Sequence, residues 1–190
     1  MKSLPDNATL LIIDLQMAIE DPRWRADGPR NNPQAERNVA ALLTAWRWHK
    51  RPIVHIRHDS TEPDSAYRPD RPSHAFKPEA MPLPDECVFG KSVNSAFIGT
   101  MLDDWLRNKK IETLVVAGVI TNNSVETTVR HAGNLGYDVR LVQDATFTFA
   151  KRDWSGHLRS AQEVHDLSLA NLSGEYATIT DTAAILATIA

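Results

Sequence analysis

Three polar residues follow apolar segments at widely separated points of the chain, and their types suit proton transfer and attack on a carbonyl group. Asp14 ends TLLIID, Lys91 follows ECVFG, and Ser124 follows IETLVVAG after a short turn. A carboxylate exchanges protons, and an ammonium group stabilises negative charge. A hydroxyl becomes a nucleophile when a base takes its proton. The question is whether the fold brings these groups together.

The elements that position them alternate between strand and helix. Apolar runs predict strands at 9–14, 52–57, 86–90, 111–118, 137–144 and 176–180. Helical patterns lie at 34–50, 95–109, 123–135, 160–172 and 181–189. Because this alternation is typical of βαβ units, we predict an α/β fold: a three-layer α/β/α arrangement with a six-stranded, mostly parallel, doubly wound sheet. We expect residues 1–190 to form a single domain.

Open parallel sheets bind ligands at the carboxyl ends of their strands, so Asp14, Lys91 and Ser124 are expected to converge on one crevice. Each has an ordinary alternative. Asp14 can cap a following helix, and Lys91 can be a surface lysine. Ser124 can be a simple first-turn residue, because Asn123 and Glu126 form a capping-box pattern. The apolar context of Asp14 favours a charged partner, for which Lys91 is the natural candidate.

The segment 58–86 interrupts the alternation and is rich in Pro, Asp and Ser. Long loops inside compact domains are usually functional or disordered. Since Phe76, Met81 and Leu83 can anchor this one, we favour an ordered lid or a subunit contact. A merely solvated loop is the alternative.

The segments LLIIDLQ, FGKSVNSAF and VVAGVITNNSVETTVRHAGNLGYDVRLVQDA resemble the isochorismatase-like hydrolases, also called the cysteine hydrolase superfamily. The resemblance covers essentially the whole chain and implies a Rossmann-like parallel sheet with an Asp, Lys, Cys triad. The Asp falls on Asp14 and the Lys on Lys91. The Cys falls on Ser124, so this chain departs from the family at the nucleophile.

That departure changes the expected chemistry. In the family scheme, the carboxylate takes the thiol proton and the thiolate attacks a carbonyl carbon. A thiol has a reference pKa of about 8.5, whereas a hydroxyl is far less acidic, so Ser124 needs a base during attack. Two origins stay open: Ser124 is natural, which we favour, or it is an engineered Cys-to-Ser change. Isochorismatase itself resembles this triad with Gly at the nucleophile position and cleaves a vinyl ether, a reaction in which Asp14 would be the general acid.

The resemblance also implies a cis peptide in the G-V-x-T turn, here between Val119 and Ile120. In the family this turn aims backbone N–H groups at the developing oxyanion. The corresponding donors here are Ile120 and Ser124.

Nicotinamidases of this superfamily hold a metal through Asp-x-His and a later His. The corresponding stretch here is HIRHDS, and on an extended strand His55 and His58 point to opposite faces. We therefore predict no catalytic metal and no cofactor, with His55 a hydrogen-bonded core residue. Weaker candidates for the substrate pocket are Gln16, Trp24, His58, Asn94, Phe97 and Asn123.

Composition excludes several classes of partner. The formal net charge is −3, and Lys and Arg are scattered, so neither nucleic acid nor a membrane surface is expected as a partner. No apolar run is long enough for a signal peptide or a membrane span, and we expect a cytoplasmic protein. The single cysteine, Cys87, excludes an internal disulfide. Neither G-x-G-x-x-G nor a Walker A sequence follows a strand, which argues against nucleotide binding.

The sequence thus predicts a hydrolase of a small metabolite, acting on an amide or ureido C–N bond or on a vinyl ether. The alternative is a family member that has lost turnover and acts as a small-molecule-binding or scaffolding protein. Relatives are usually homo-oligomers. Four tryptophans, Trp46, Trp48, Trp105 and Trp154, exceed what one small core needs, so a homo-oligomer is expected.

Overall fold

The computed structural model describes residues 3–189 and centres on a six-stranded sheet. The strands are β1 (Thr9–Ile13), β2 (Ile53–His58), β3 (Cys87–Lys91), β4 (Thr113–Val119), β5 (Asp138–Phe147), β6 (Lys151–Arg152), β7 (Leu158–Arg159) and β8 (Thr178–Thr180). The main sheet has the order β3-β2-β1-β4-β5-β8, and every neighbouring pair in it is parallel. The short strands β6 and β7 form a separate antiparallel hairpin. The predicted six-stranded parallel α/β fold is confirmed.

Helices cover both faces of the sheet. They are α1 (Ala35–Trp48), α2 (Leu102–Asn108), α3 (Glu126–Asn134), α4 (Ala161–Leu172) and α5 (Thr182–Leu186). Residues of α1 and α5 pack in one apolar cluster, and residues of α2, α3 and α4 pack in another. No helix within residues 3–189 is long and apolar enough to cross a membrane.

The central strands are buried because side chains from both of their faces enter a core. Along β1, Leu10 and Ile12 join the cluster under α1, whereas Leu11 and Ile13 join the cluster under α2 and α3. This alternation follows from the two-residue repeat of a strand. It explains why the sequence of β1 is continuously apolar, as expected for a parallel strand covered on both sides.

Two predicted helices begin later than their patterns indicated. The helix predicted from residue 95 starts at Leu102. Before it, the Ser95 and Thr100 hydroxyls accept hydrogen bonds from the backbone N–H groups of Phe97 and Leu102, and Gly99 has a φ of 71°. Such local side-chain hydrogen bonds offer the backbone an alternative to the helix.

The second late helix is α3, which starts at Glu126 after a π-helical turn, Thr121–Val125. The capping box between Asn123 and Glu126, on which the ordinary alternative for Ser124 depended, does not form. The Glu126 carboxylate instead accepts hydrogen bonds from Arg130 and from Ser168 of α4.

The segment after β2 is ordered by contacts that the sequence analysis did not identify. Lys77 is buried, and its ammonium donates to Glu20 at 2.6 Å and to Glu36 of α1 at 2.9 Å. Phe76 packs edge-on against His55, with the ring centroids 5.8 Å apart. Two of the expected anchors are wrong, because Met81 and Leu83 are exposed at 49% and 44%.

Candidate active site

The sheet creates a crevice where its strand order reverses. From β1 the chain builds outward through β2 to β3, and it then returns to add β4 on the other side of β1. The connections that leave β1 and β4 therefore diverge, which opens a ligand site at the carboxyl ends of these strands. Asp14 directly follows β1, and the turn that carries Ser124 follows β4.

Lys91, the last residue of β3, joins the polar groups of this crevice. Its Nζ donates to Oδ2 of Asp14 at 2.7 Å and to Oγ of Ser124 at 3.3 Å, and it lies 3.3 Å from Nδ1 of His58. Asp14, Lys91 and Ser124 are all less than 7% exposed. An ammonium group has three N–H donors, so these contacts use the full donor capacity of Lys91.

Asp14 combines a paired oxygen with an unpaired one. Burial raises the pKa of the Asp14 carboxyl above its usual value, and the nearby Lys91 ammonium offsets part of that rise. Within residues 3–189, Oδ1 has no hydrogen-bond partner. The 3₁₀ helix that follows, Met17–Glu20, has no side-chain cap, so Asp14 is not a helix cap. Oδ1 is thus free to exchange a proton with a group in the crevice.

The surroundings of His58 favour its neutral form. Burial lowers the pKa of His58, and the adjacent Lys91 ammonium lowers it further. A neutral imidazole that accepts a hydrogen bond at Nδ1 carries its proton on Nε2. The ring also packs edge-on against Tyr67, with centroids 5.5 Å apart. His58 therefore contributes a hydrogen-bond donor and no net charge.

Helix α4 holds the turn that carries Ser124 in place through contacts with Thr121. Oγ1 of Thr121 hydrogen-bonds with Nδ1 of His165 at 3.0 Å, and the Ser168 hydroxyl lies 3.4 Å from the backbone oxygen of Thr121. The peptide bond between Val119 and Ile120, just before this turn, is cis. Sequence reasoning missed His165 and Ser168. Their signal was a pair of polar residues three apart on the buried side of a helix.

A cavity of about 230 Å³ opens above these groups. Its lining consists of Asp14, Trp24, His58, Ser60, Glu62, Ser65, Tyr67, Asn94, Val119, Ile120, Asn123 and Ser124. Four of the predicted pocket residues are among them: Trp24, His58, Asn94 and Asn123. The segment after β2 supplies four residues that were not predicted: Ser60, Glu62, Ser65 and Tyr67. This segment forms one wall of the cavity. Its length, which is unusual for a loop inside a compact domain, is the sequence feature that could have indicated this role.

Gln16 and Phe97, the other two predicted pocket residues, do not line the cavity. Gln16 is fully buried, and its side chain ties the backbone of His58 and His74 together through hydrogen bonds of 2.7–3.2 Å. Phe97 packs against the rings of His131 and Tyr137. Both side chains support the fold around the site and lie outside the cavity lining.

The two histidines of β2 have separate surroundings. His55 is fully buried, and its Nε2 lies 2.9 Å from a Glu86 oxygen, which confirms a hydrogen-bonded core histidine. His58 faces the cavity. Over residues 3–189, no cluster of three or more His, Cys, Asp or Glu side chains is arranged to hold a metal ion.

Comparison with known proteins identifies the family. The model of the isochorismatase domain matches residues 8–184. The chain belongs to the isochorismatase family. It is 38% identical over 179 residues to the uncharacterised isochorismatase family protein YrdC of Bacillus subtilis, an alignment that covers 94% of each chain.

A crystal structure of an isochorismatase-family protein from Chromobacterium violaceum has a TM-score of 0.95 and 56% identity, covering 100% of this chain and 96% of that one. Ureidoacrylate amidohydrolase RutB of Methylobacterium radiotolerans is 33% identical over 103 residues, which are 54% of this chain and 36% of that protein. This isochorismatase-family chain is a hydrolase.

Proposed function

We propose that this hydrolase cleaves an amide or ureido C–N bond of a small metabolite, with Asp14, Lys91 and Ser124 as its catalytic residues. The proposal depends on one observation: the Lys91 ammonium contacts both Asp14 and Ser124 while Oδ1 of Asp14 is left unpaired beside the cavity. The partial similarity to an amidohydrolase that acts on a ureido compound supports a C–N bond as the target.

In this scheme Asp14 is the proton carrier. Oδ1 accepts the Ser124 hydroxyl proton as Oγ attacks the carbonyl carbon, and the backbone N–H groups of Ile120 and Ser124 stabilise the oxyanion. Asp14 then returns the proton to the leaving nitrogen, and the C–N bond breaks. Water attacks the acyl-serine with Asp14 again as base, which releases the acid and restores Ser124. Lys91 stabilises the ionised form of Asp14 whenever it acts as a base, and it orients the carboxyl group throughout.

A second reaction is favoured by the raised pKa of Asp14. A carboxyl group that holds its proton more tightly is better suited to be a general acid near neutral pH. In vinyl ether cleavage, Asp14 would protonate the terminal vinyl carbon, and water would add to the carbon that bears the ether oxygen and return a proton to Asp14. The resulting hemiketal would then collapse: its bond to the ether oxygen breaks, its hydroxyl proton passes to that oxygen, and a carbonyl compound and an alcohol are released. Ser124 would then orient water and form no bond to the substrate.

Turnover of matched panels of small amides, ureido compounds and vinyl ethers tests these proposals. Asp14→Asn should lower kcat by about a hundredfold or more in either reaction, since it removes the proton carrier. Ser124→Ala should abolish amide hydrolysis but largely spare vinyl ether cleavage. Ser155→Ala, an exposed hairpin serine, is the matched control and should leave turnover unchanged.

Binding without turnover in all three panels would contradict both reactions.

A further inference from the structure

The positive charges near the cavity are already neutralised by the protein. The Lys91 ammonium is fully buried and bonded to the Asp14 carboxylate, with its remaining donors directed at Ser124 and His58. A ligand carboxylate could bind Lys91 only by displacing one of these partners. Lys91 is therefore committed to the catalytic group and is not an anchor for substrate.

The neighbouring candidates for an anion anchor are also unsuitable. His58 lines the cavity as a neutral ring, because burial and Lys91 both lower its pKa. Arg23 lines an adjoining depression that shares Trp24 with the cavity, and its guanidinium is paired with Asp21 and with the backbone oxygen of Asp64. Among the residues that the structure describes, no arginine lines the cavity itself.

Negative charge, in contrast, is available on Glu62, whereas the Asp14 carboxylate is ion-paired with Lys91. Glu62 lines both the cavity and the adjoining depression, is exposed, and makes no ion pair to any residue in the range 3–189. The remaining polar lining consists of hydroxyl and amide groups, such as Ser60, Ser65 and Asn94. These groups bind neutral polar ligands without a preference for anions.

We infer that this cavity selects a neutral or cationic substrate and rejects carboxylates, with Glu62 as the residue that sets the preference at the entrance. The inference rests on the proposed function and narrows its substrate class to uncharged or positively charged amides and ureido compounds. A carboxylate would meet like charge at Glu62 and, with Lys91 committed to Asp14, would leave its own charge unpaired, which is costly in a partly desolvated site. Ureidoacrylate, which the amidohydrolase relative is named for, carries a carboxylate and should be a poor ligand here.

Three probes of one shape and different charge test the inference: benzamide, benzamidine and benzoate. Their binding is measured by calorimetry with Ser124→Ala protein at neutral pH, which prevents acylation during the titration. We expect benzamide and benzamidine to bind and benzoate to bind about tenfold more weakly or worse. Glu62→Gln should selectively weaken the binding of benzamidine and reduce the difference in affinity between benzamidine and benzoate. Glu79 is an exposed glutamate of the same segment, and Glu79→Gln is the matched control. It should change neither the benzamidine affinity nor its difference from the benzoate affinity.

Benzoate binding as tight as that of benzamide would overturn the inference, as would a failure of all three probes to bind. An unchanged preference in Glu62→Gln would overturn the role of Glu62. These outcomes concern binding alone. A protein that shows the expected order of affinities but turns over no amide would contradict the proposed function and leave the charge selectivity established.

Discussion

At the scale of single residues, Lys91 determines the state of its neighbours. Burial alone would drive Asp14 towards its protonated form, and the ammonium at 2.7 Å opposes that tendency. The same charge lowers the pKa of His58 and keeps that ring neutral. One buried cation thus opposes protonation of Asp14, favours a neutral His58 and contacts the Ser124 hydroxyl within one hydrogen-bonded group.

The first prediction concerns the nucleophile position. Ser124→Cys, made in a Cys87→Ala background, should place a thiol beside the Lys91 ammonium, which favours the thiolate. We expect alkylation by iodoacetamide at neutral pH to be about tenfold or more faster than that of free cysteine. Mass spectrometry should locate the adduct on residue 124.

Asp14→Asn in the same background is the control. Because it removes the base, it should suppress the increase in the alkylation rate of the thiol. Cys87 is half-buried in β3 and should react more slowly than residue 124 when it is present. A Ser124→Cys thiol no faster than a free cysteine would show that the site is not preorganised for nucleophilic attack.

The second prediction concerns the titration of His58. Because the pKa of His58 is lowered in the folded protein, the ring should be mostly neutral at neutral pH and should take up its proton only at more acidic pH. Protonation would place a second cation 3.3 Å from the Lys91 ammonium. Catalytic activity should therefore fall as the pH drops through the pKa of His58. The pKa is measured from the ring resonances of His58 by NMR.

Lys91→Met provides the comparison for His58. Loss of the ammonium should raise the His58 pKa, because Asp14 and Asp59 favour the protonated ring while Lys91 opposes it. A His58 that titrates above pH 6.5 in the unaltered protein would be inconsistent with the neutral tautomer described here.

At the scale of elements, the turn Thr121–Val125 is positioned by a helix distant in the sequence. Thr121 and His165 are both fully buried, and their hydrogen bond connects the turn to α4. Ser168 of the same helix approaches the Thr121 backbone oxygen and donates to Glu126 at 2.6 Å. Helix α4 therefore controls where Ser124 sits without contacting the cavity.

The third prediction follows from that connection. Thr121→Val keeps the shape of the side chain but removes the hydroxyl, so Nδ1 of His165 is left unpaired at a cost of about 2 kcal/mol in the free energy of unfolding. His165→Phe should also lower the free energy of unfolding. The double variant should lose less than the sum of the two, by about 1 kcal/mol, as expected for residues that share one interaction. Urea unfolding of the four proteins measures this coupling, and strict additivity would show that the pair is not coupled.

At the scale of the whole molecule, the close approach of β1 and β4 brings the two halves of the site together. Gly118 of β4 pairs with Ile13 of β1, next to an irregularity in the pairing of β4 with β5. A Cβ atom on Gly118 would lie 2.2 Å from the backbone oxygen of Ile13, and its φ of 116° disfavours other residues. The absence of a side chain at this position lets Asp14 and the Ser124 turn emerge side by side.

The fourth prediction tests that packing. Gly118→Ala should cost about 3 kcal/mol or more in the free energy of unfolding, because the clash is with backbone and cannot be relieved by a rotamer change. Gly136→Ala is the matched control. Gly136 also has a positive φ, 89°, but an added Cβ would meet nothing within 4 Å. Gly136→Ala should lower the free energy of unfolding by only about 1 kcal/mol. Equal losses in the two variants would mean that backbone conformation, not crowding, governs Gly118.

The fifth prediction is the homo-oligomer, which remains our proposal. Of the tryptophans expected to exceed the needs of one core, Trp46 is fully buried and donates to the Ala8 backbone oxygen, while Trp48 and Trp154 are 82% and 99% exposed. Large exposed aromatic side chains are enriched at protein interfaces. Light scattering after size exclusion should give a multiple of the single-chain mass. A strictly monomeric mass at micromolar concentration would contradict the proposal.

The sequence by itself determined the strands and the residues at their ends. The run TLLIID is apolar because β1 is buried on both faces, and a polar residue that ends such a run must lie at the edge of the sheet. The same local logic located Lys91 and the turn that carries Ser124. These inferences succeeded because they depend on the periodicity of neighbouring residues and on a general rule for parallel sheets.

Only the tertiary structure decided which side chains surround the cavity and which support it from behind. Gln16 reaches backbone groups 42 and 58 residues away, and His165 reaches Thr121 across 44 residues. Glu62 enters the cavity lining because the segment after β2 folds back over the strand ends. No local pattern encodes these contacts, since burial and hydrogen bonding between distant residues depend on how the helices and the long segment pack on the sheet.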